Sequence, residues 1–242
     1  NTMPQIARVG CGYGGKNLCR YFYSVSALSA VVDATESRQV TARSIAPDAQ
    51  ITDSLEDVLR NDQIQGVALA TPAETHAELA VQAMQAGKDV FVEKPMALTL
   101  EDAEKMKSVA EETNRILMVG HLLEYHPAVL KLVEMIASGE LGKINYIYSN
   151  RLNFGKVRTE ENALWSFAPH DVAVILRLMG KAPVEVSASG GSYLTNGIAD
   201  TTMSNLRFAG ESRAHVFVSW LHPFKEQRLV VLGDKKMAIF ND

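Results

Sequence analysis

Cysteine is nearly missing from this sequence: its 242 residues include only Cys11 and Cys19. Two thiols in one short segment cannot make a disulfide framework, and a chain that manages without one reads as cytoplasmic. Both read as small buried residues. Long apolar runs are missing too. None approaches the roughly 18 residues that cross a bilayer, and no apolar segment precedes the first strand pattern as a signal peptide would. No membrane partner is expected. Positive charge is not in excess. Lys and Arg number 24 against 28 Asp and Glu, a net charge of −4, which removes the electrostatic case for a nucleic acid partner. Metal-ligand spacing is also lacking. His121, Tyr125 and His126 cluster, but in no metal motif, and no metal is expected. What is present is ordinary for a globular protein: 47% hydrophobic and 21% charged residues, in a length that suits one large domain or two modest ones.

The chain changes rhythm part-way. Up to about Gly120, short apolar runs ("QIARVG", "LSAVVDA", "AQITD", "GVALAT", "DVFVEK", "RILMVG") alternate with stretches of helical spacing. Such alternation predicts βαβ units and a doubly wound parallel sheet. Thr71-Pro72-Ala73-Glu74 reads as a helix start, with a cap, a proline at the first helical position and a capping-box acid. Ser54 and Thr99 read as caps in the same way. After about residue 125, two helical patterns flank a long strand pattern. From Pro183 on, strand patterns follow one another with short connections, which predicts a mostly antiparallel sheet. The expected fold class is therefore α/β: a dinucleotide-binding domain over 1–122 and a C-terminal α+β domain over 123–242 for substrate and oligomerisation.

"RVGCGYGGKN" stands between the first strand pattern and the helix after it. Gly10, Gly12 and Gly15 satisfy G-x-G-x-x-G, with Tyr13 and Gly14 inside the same loop. The first glycine permits the turn, the second lets the backbone approach a pyrophosphate, and the third allows close helix packing. Asp33 ends the second strand pattern 18 residues past Gly15. A carboxylate there can bond the adenosine ribose hydroxyls and repels a 2′-phosphate, so NAD is expected over NADP. Arg38 lies near enough to assist a phosphate.

The segment "ATPAETHAELAVQAMQAGKDVFVEKPMALTLEDAEKM" resembles the Gfo/Idh/MocA (glucose–fructose oxidoreductase / inositol dehydrogenase) family. The resemblance rests on a T-P-x-x-x-H turn after strand four and E-K-P after strand five, and it extends over essentially the whole chain. "GHLLEYHPAVLKLVEMIASGELGKI" and "LWSFAPHDVAVILRLMG" are most similar to the branch acting on nucleotide-linked amino sugars. That branch includes UDP-N-acetylglucosamine 3-dehydrogenases and UDP-N-acetyl-glucosaminuronate dehydrogenases. The resemblance implies a Rossmann domain, NAD as cofactor and a small sugar or nucleotide-sugar substrate, with oxidation of a ring hydroxyl at C3. Alternatives are a dehydrogenase of a free sugar or polyol such as inositol, and a non-catalytic dinucleotide-sensing regulator.

The same resemblance implies the site. Lys94 and His170 would be catalytic. Thr71, Pro72, His76, Glu93, Lys94 and Pro95 would stand on the cofactor side. Arg151, Asn153 and Trp165 would meet the substrate together with Lys94 and His170. His170 reads as the start of a helix, where the dipole disfavours imidazolium and leaves a neutral base. Asp171 beside it reads as a first-turn acid. Many relatives carry an aspartate four residues before this histidine and a glycine two before it; here these positions are Ser166 and Ala168. The sequence ends on a strand pattern, "KKMAIFND", where family members usually continue, so the C-terminal domain reads as incomplete. In "RAHVFVSWL", Ala214, Val216, Val218 and Trp220 share one parity and His215 and Ser219 the other. A homo-oligomer, dimer or tetramer, paired through the C-terminal sheet is expected.

Overall fold

The apolar runs of the first half are too short and too uniformly hydrophobic for surface strands, and they fold as the buried strands of a parallel sheet. The computed structural model describes residues 3–12, 15–154 and 161–241. Two units emerge, Asn1–Gly120 and His121–Asp242.

In the first unit, strands β1 (Ile6–Val9), β2 (Leu28–Val32), β3 (Gln50–Thr52), β4 (Gly66–Leu69), β5 (Asp89–Val92) and β6 (Leu117–Val119) alternate with five helices. These are α1 (Gly15–Ser24), α2 (Glu36–Ile45), α3 (Leu55–Leu59), α4 (His76–Gln85) and α5 (Leu100–Thr113). The strand order is β3-β2-β1-β4-β5-β6 and every pair is parallel. Alternate side chains feed two cores. Ala7, Val9, Val67, Leu69, Val90 and Val92 pack with Ala80, Met84 and Met106 on one side. Leu28 and Val31 pack with Cys11, Cys19 and Ala42 on the other. The order reverses between β1 and β4, the place where open α/β sheets form a ligand crevice.

The caps at Ser54 and Thr99 form: their hydroxyls accept from the N–H of Asp57 at 3.2 Å and of Asp102 at 3.1 Å. The helix read from Thr71 does not start there. Pro72 leads into a 3-10 turn over Ala73–Thr75, and α4 begins at His76. The Thr75 hydroxyl, 2.7 Å from both the Thr71 hydroxyl and the Pro72 carbonyl, binds the turn to itself, so Thr71 caps nothing.

The second unit holds α6 (Pro127–Ala137), β7 (Ile144–Leu152), α7 (Ala163–Met179), β8 (Glu185–Gly191), β9 (Thr201–Arg207), β10 (Arg213–Ser219), β11 (Glu226–Gly233) and β12 (Met237–Asn241). Its sheet runs β12-β11-β7-β10-β9-β8. All pairs are antiparallel except β10 with β7. Ala214, Val216, Val218 and Trp220 are buried in one cluster with Val129 and Leu132 of α6 and Ile175 and Leu178 of α7. The apolar parity of β10 therefore belongs to the helix-covered face. The opposite face carries His215 and Phe217, with Tyr146 and Tyr148 alongside; Tyr148 stacks on His215 at 5.3 Å.

The α7 helix departs from its sequence reading. Asn162 is its N-cap and accepts from the Trp165 N–H at 3.0 Å, so the helix begins well before Pro169, which lies inside it. Asp171 is correspondingly not a first-turn acid. It is buried and accepts from Arg151 Nε at 2.7 Å and from the Ser149 hydroxyl at 2.5 Å. This polar tie fastens the middle of α7 to β7. Removing one partner leaves a buried charge unpaired, which is the costly way to break such a pair. Asp171→Ala should lower the unfolding free energy by about 3–5 kcal/mol, and the double variant Arg151→Met, Asp171→Leu should recover most of that loss. Urea titration followed by circular dichroism reads both, and equal losses would show that the two residues do not act as a pair.

Candidate active site

The carboxyl ends of β1, β2, β4 and β5 converge on one edge of the parallel sheet, and most of the residues expected on the cofactor side lie there. Gly10 follows β1 with φ +86°, and a Cβ on it would stand 2.8 Å from the Ala70 carbonyl oxygen. A Cβ on Gly15 would stand 2.5 Å from the Gly10 oxygen. These two glycines let α1 and the loop after β4 close on the turn. Gly12 is different: among the described residues a Cβ there would meet only Arg38 Cζ, at 4.0 Å. Its carbonyl accepts from the Lys16 N–H at 3.2 Å at the entry to α1, and a helix N-terminus attracts a phosphate. Tyr13 and Gly14 lie outside the described residues.

Asp33 leaves β2 at this edge, buried, and both its oxygens serve the loops. Oδ2 accepts from the Cys11 N–H at 2.7 Å, and Oδ1 accepts from the Thr35 N–H at 2.9 Å. Each carboxylate oxygen keeps a further lone pair for a ribose hydroxyl. Arg38 Nη1, on a half-exposed side chain, lies 4.0 Å from Asp33 Oδ2. The glycine turn ahead of α1 and the carboxylate beyond it fit a dinucleotide.

The two motif turns are joined by one side chain. His76 is 1% exposed. Its Nδ1 lies 2.8 Å from the Pro95 carbonyl oxygen and its Nε2 lies 3.0 Å from the Thr71 carbonyl oxygen. The imidazole thus bridges the T-P turn after β4 to the E-K-P turn after β5. This corrects the expectation of a direct cofactor contact: the ring is occupied within the unit, and its influence on a cofactor passes through these turns. The Glu93 N–H donates to the Leu69 carbonyl at 3.0 Å. Gly120 leaves room for the Glu93 carboxylate, since a Cβ there would stand 3.1 Å from Oε2. Lys94 is half-buried, Pro95 is buried, and the bond between them is cis.

In the second unit, His170 is the eighth residue of α7, half-buried, and one helical turn after the buried Ser166. The dipole argument for a neutral imidazole therefore lapses, because that field acts within the first turn. Trp165 is 43% exposed, so its indole is not core packing. Asn153 follows β7, half-exposed, and its N–H donates to the Ser219 carbonyl at 3.1 Å. Arg151 departs from its expected role as a substrate contact. Nε and Nη2 are directed at Asp171, at 2.7 and 3.4 Å, and the side chain is 11% exposed. Among the described residues no group of three metal-ligating side chains occurs, and no helix is long and apolar enough to cross a membrane.

Sequence reading passed over Arg8. It is fully buried in β1, with Nη1 donating to the carbonyls of Ala68 at 2.8 Å and Val9 at 3.1 Å. A cation inside the apolar run "QIARVG" was the available signal.

Comparison with known proteins agrees with this geometry. The family description "Oxidoreductase family, NAD-binding Rossmann fold" matches residues 5–121, and "GFO/IDH/MocA C-terminal domain" matches residues 129–239. The chain belongs to the Gfo/Idh/MocA family. Its cofactor is NAD, held by the N-terminal Rossmann unit. A 2,7-anhydro-N-acetylneuraminate hydratase of Mediterraneibacter gnavus is 27% identical over 95% of this chain and 65% of its own length. A UDP-N-acetylglucosamine 3-dehydrogenase of Acidithiobacillus ferrooxidans is 28% identical over 78% of this chain and 58% of its own. The chain thus spans less than two thirds of both these family members. The WlbA dehydrogenase of Bordetella pertussis, solved with NADH and UDP-GlcNAcA, superposes with a TM-score of 0.88 at 23% identity, covering all of this chain and 75% of that one. It shares the fold.

The His76 bridge has a direct test. His76→Ala removes the ring that stands between the two carbonyls and opens a buried space, and should cost about 2–4 kcal/mol of stability. It should also leave the E-K-P turn easier to cleave by a protease. An unchanged urea midpoint and an unchanged cleavage rate would show that the turns hold without the ring.

Proposed function

We propose that the protein is an NAD-dependent dehydrogenase that oxidises a ring hydroxyl, at C3, of a UDP-linked N-acetylamino sugar. The observation that carries the reading is the meeting of the glycine loop, Asp33 and the E-K-P turn bearing Lys94 at one sheet edge. The similarity to a UDP-N-acetylglucosamine 3-dehydrogenase supports the substrate class. When bound, NAD supplies a hydride acceptor for the hydroxyl-bearing carbon. His170 takes the hydroxyl proton on its imidazole, and the Lys94 ammonium stabilises the negative charge that develops on that oxygen. Glu93 and Pro95 aim Lys94. Thr71 and Pro72 border the cofactor, Asp33 selects the ribose, and Arg38 lies beside it. Asn153 and Trp165 contact the sugar, the latter by stacking its exposed ring.

A free sugar or polyol is the second reading. One observation favours it: Arg151, a candidate contact for sugar or pyrophosphate, is directed at Asp171, which leaves one cation fewer for a pyrophosphate. Turnover of UDP-N-acetylglucosamine, its uronate and inositol, compared side by side, separates the two. Lys94→Ala and His170→Ala should each lower kcat by about two orders of magnitude or more. NAD binding should survive His170→Ala, because the glycine loop is in the other unit. Near-normal turnover by His170→Ala would place the base elsewhere.

The sheet of the second unit suggests assembly. Helices α6 and α7 cover one face, and the other presents Tyr146, Tyr148, His215 and Phe217. A second copy of the chain packed on this face would bury the rings, giving a two-fold dimer or a dimer of dimers. Sedimentation at micromolar concentration should show the dimer, and replacing Phe217 and Tyr148 by Lys should weaken it; a concentration-independent monomer would refute it.

A further inference from the structure

The two cysteines lie together beneath the dinucleotide loop. Cys11 Sγ and Cys19 Sγ are 3.7 Å apart, and both residues are buried, at 2% and 0% exposure. Cys19 is on α1, whereas Cys11 belongs to the turn between Gly10 and Gly12. Beside them is Arg8. Burial lowers the pKa of its guanidinium, and the groups that support its charge are Cys19, Glu93 and Cys11. No oxygen or nitrogen acceptor among the described residues meets its Nε or Nη2. The thiols are asymmetric. The hydrogen bond from Cys19, with Arg8 adding charge, lowers the Cys11 pKa to about 7 against the opposing effect of burial. The Cys19 pKa is raised, chiefly because its proton makes that bond. A depressed and a raised thiol in contact, next to a buried cation, are the makings of a nucleophile and a resolving partner.

We propose that Cys11 and Cys19 form a thiol oxidation site whose disulfide weakens NAD binding, with a hydroperoxide or a low-molecular-weight disulfide as oxidant. The proposal rests on NAD occupying the glycine loop. With hydrogen peroxide, the Cys11 thiolate attacks one peroxide oxygen and releases hydroxide, leaving a sulfenic acid. The Cys19 sulfur then attacks the Cys11 sulfur and water leaves. The sum is two thiols and one peroxide giving one disulfide and two waters. Burial makes the step wait for a local opening of the loop.

The consequence follows from which partner can move. A disulfide needs the sulfurs at about 2.05 Å, so the pair must close by roughly 1.7 Å. Cys19 is held in α1 while Cys11 belongs to a turn, so the turn is the part that gives way wherever side-chain rotation alone does not close the gap. The Cys11 N–H is the donor to Asp33 Oδ2 at 2.7 Å. Drawing Cys11 toward α1 weakens that bond and disturbs both the carboxylate and the turn around Gly12. By linkage, a ligand that binds the reduced form better favours reduction by the same factor.

The experiment uses the full chain. NAD affinity of the reduced protein is measured first by calorimetry, which separates a failed cofactor reading from a failure of this one. The protein is then treated with hydrogen peroxide or glutathione disulfide, with and without saturating NAD, and digested without reductant. The expected result is a peptide linked through Cys11 and Cys19, formed more slowly with NAD present. NAD affinity should fall about tenfold, as for loss of one charge-assisted hydrogen bond, and return with dithiothreitol. In redox buffers, NAD should raise the midpoint potential by about 30 mV for this two-electron couple. Cys19→Ala should bind NAD like the reduced protein and give no linked peptide. Two thiols that stay reduced under excess oxidant would overturn the proposal, as would a linked protein with unchanged NAD affinity.

Discussion

The parallel pairing of β1, β2, β4 and β5 is the constraint on which the N-terminal unit depends. Parallel strands all end at one edge, so the loops after them meet whatever their distance along the chain. Gly10, Asp33, Thr71 and Glu93 come from four separate βα connections and share that edge. The backbone then ties them together. The Cys11 N–H binds Asp33, the Glu93 N–H binds the end of β4, and His76 bridges the Thr71 and Pro95 carbonyls. Every named contact is between buried or half-buried groups, where an unmade hydrogen bond is expensive. The cofactor edge is therefore pre-organised before any ligand arrives.

The C-terminal unit reaches the same end by a different device. Its sheet offers no common edge of loops, because neighbouring strands mostly run in opposite directions. It positions a side chain by pinning a helix instead. Asp171 receives Ser149 and Arg151 from β7, which fixes the middle of α7 and with it the adjacent His170. A buried charge pair is an inefficient way to add stability, since apolar residues of similar size do as well. Its use in the middle of α7 makes sense as a device that fixes one register of the helix on the sheet.

Much of this was legible in the residues. The period of the apolar runs predicted the parallel sheet, and G-x-G-x-x-G followed by Asp33 predicted the loop and its carboxylate. Ser54 and Thr99 predicted their caps, because a cap depends only on a hydroxyl and an N–H three residues away. Local signals failed where a partner was distant. Thr71 looked like a cap, but Thr75 and His76 take the turn for other bonds. His170 looked like the start of a helix, but Asn162 had already capped that helix. Arg151 looked like a substrate contact, but its partner, twenty residues on, draws it inside.

Fold class, family and cofactor are legible in the residues alone, because periodicity and short motifs are carried by neighbouring residues. Which polar groups meet is a matter of packing between distant elements. That His76 joins two turns, that Asp171 holds Arg151, and that Cys11 lies against Cys19 under a buried arginine depends on strand order and helix registration. Those are set by the packing of whole cores, and no stretch of sequence contains them.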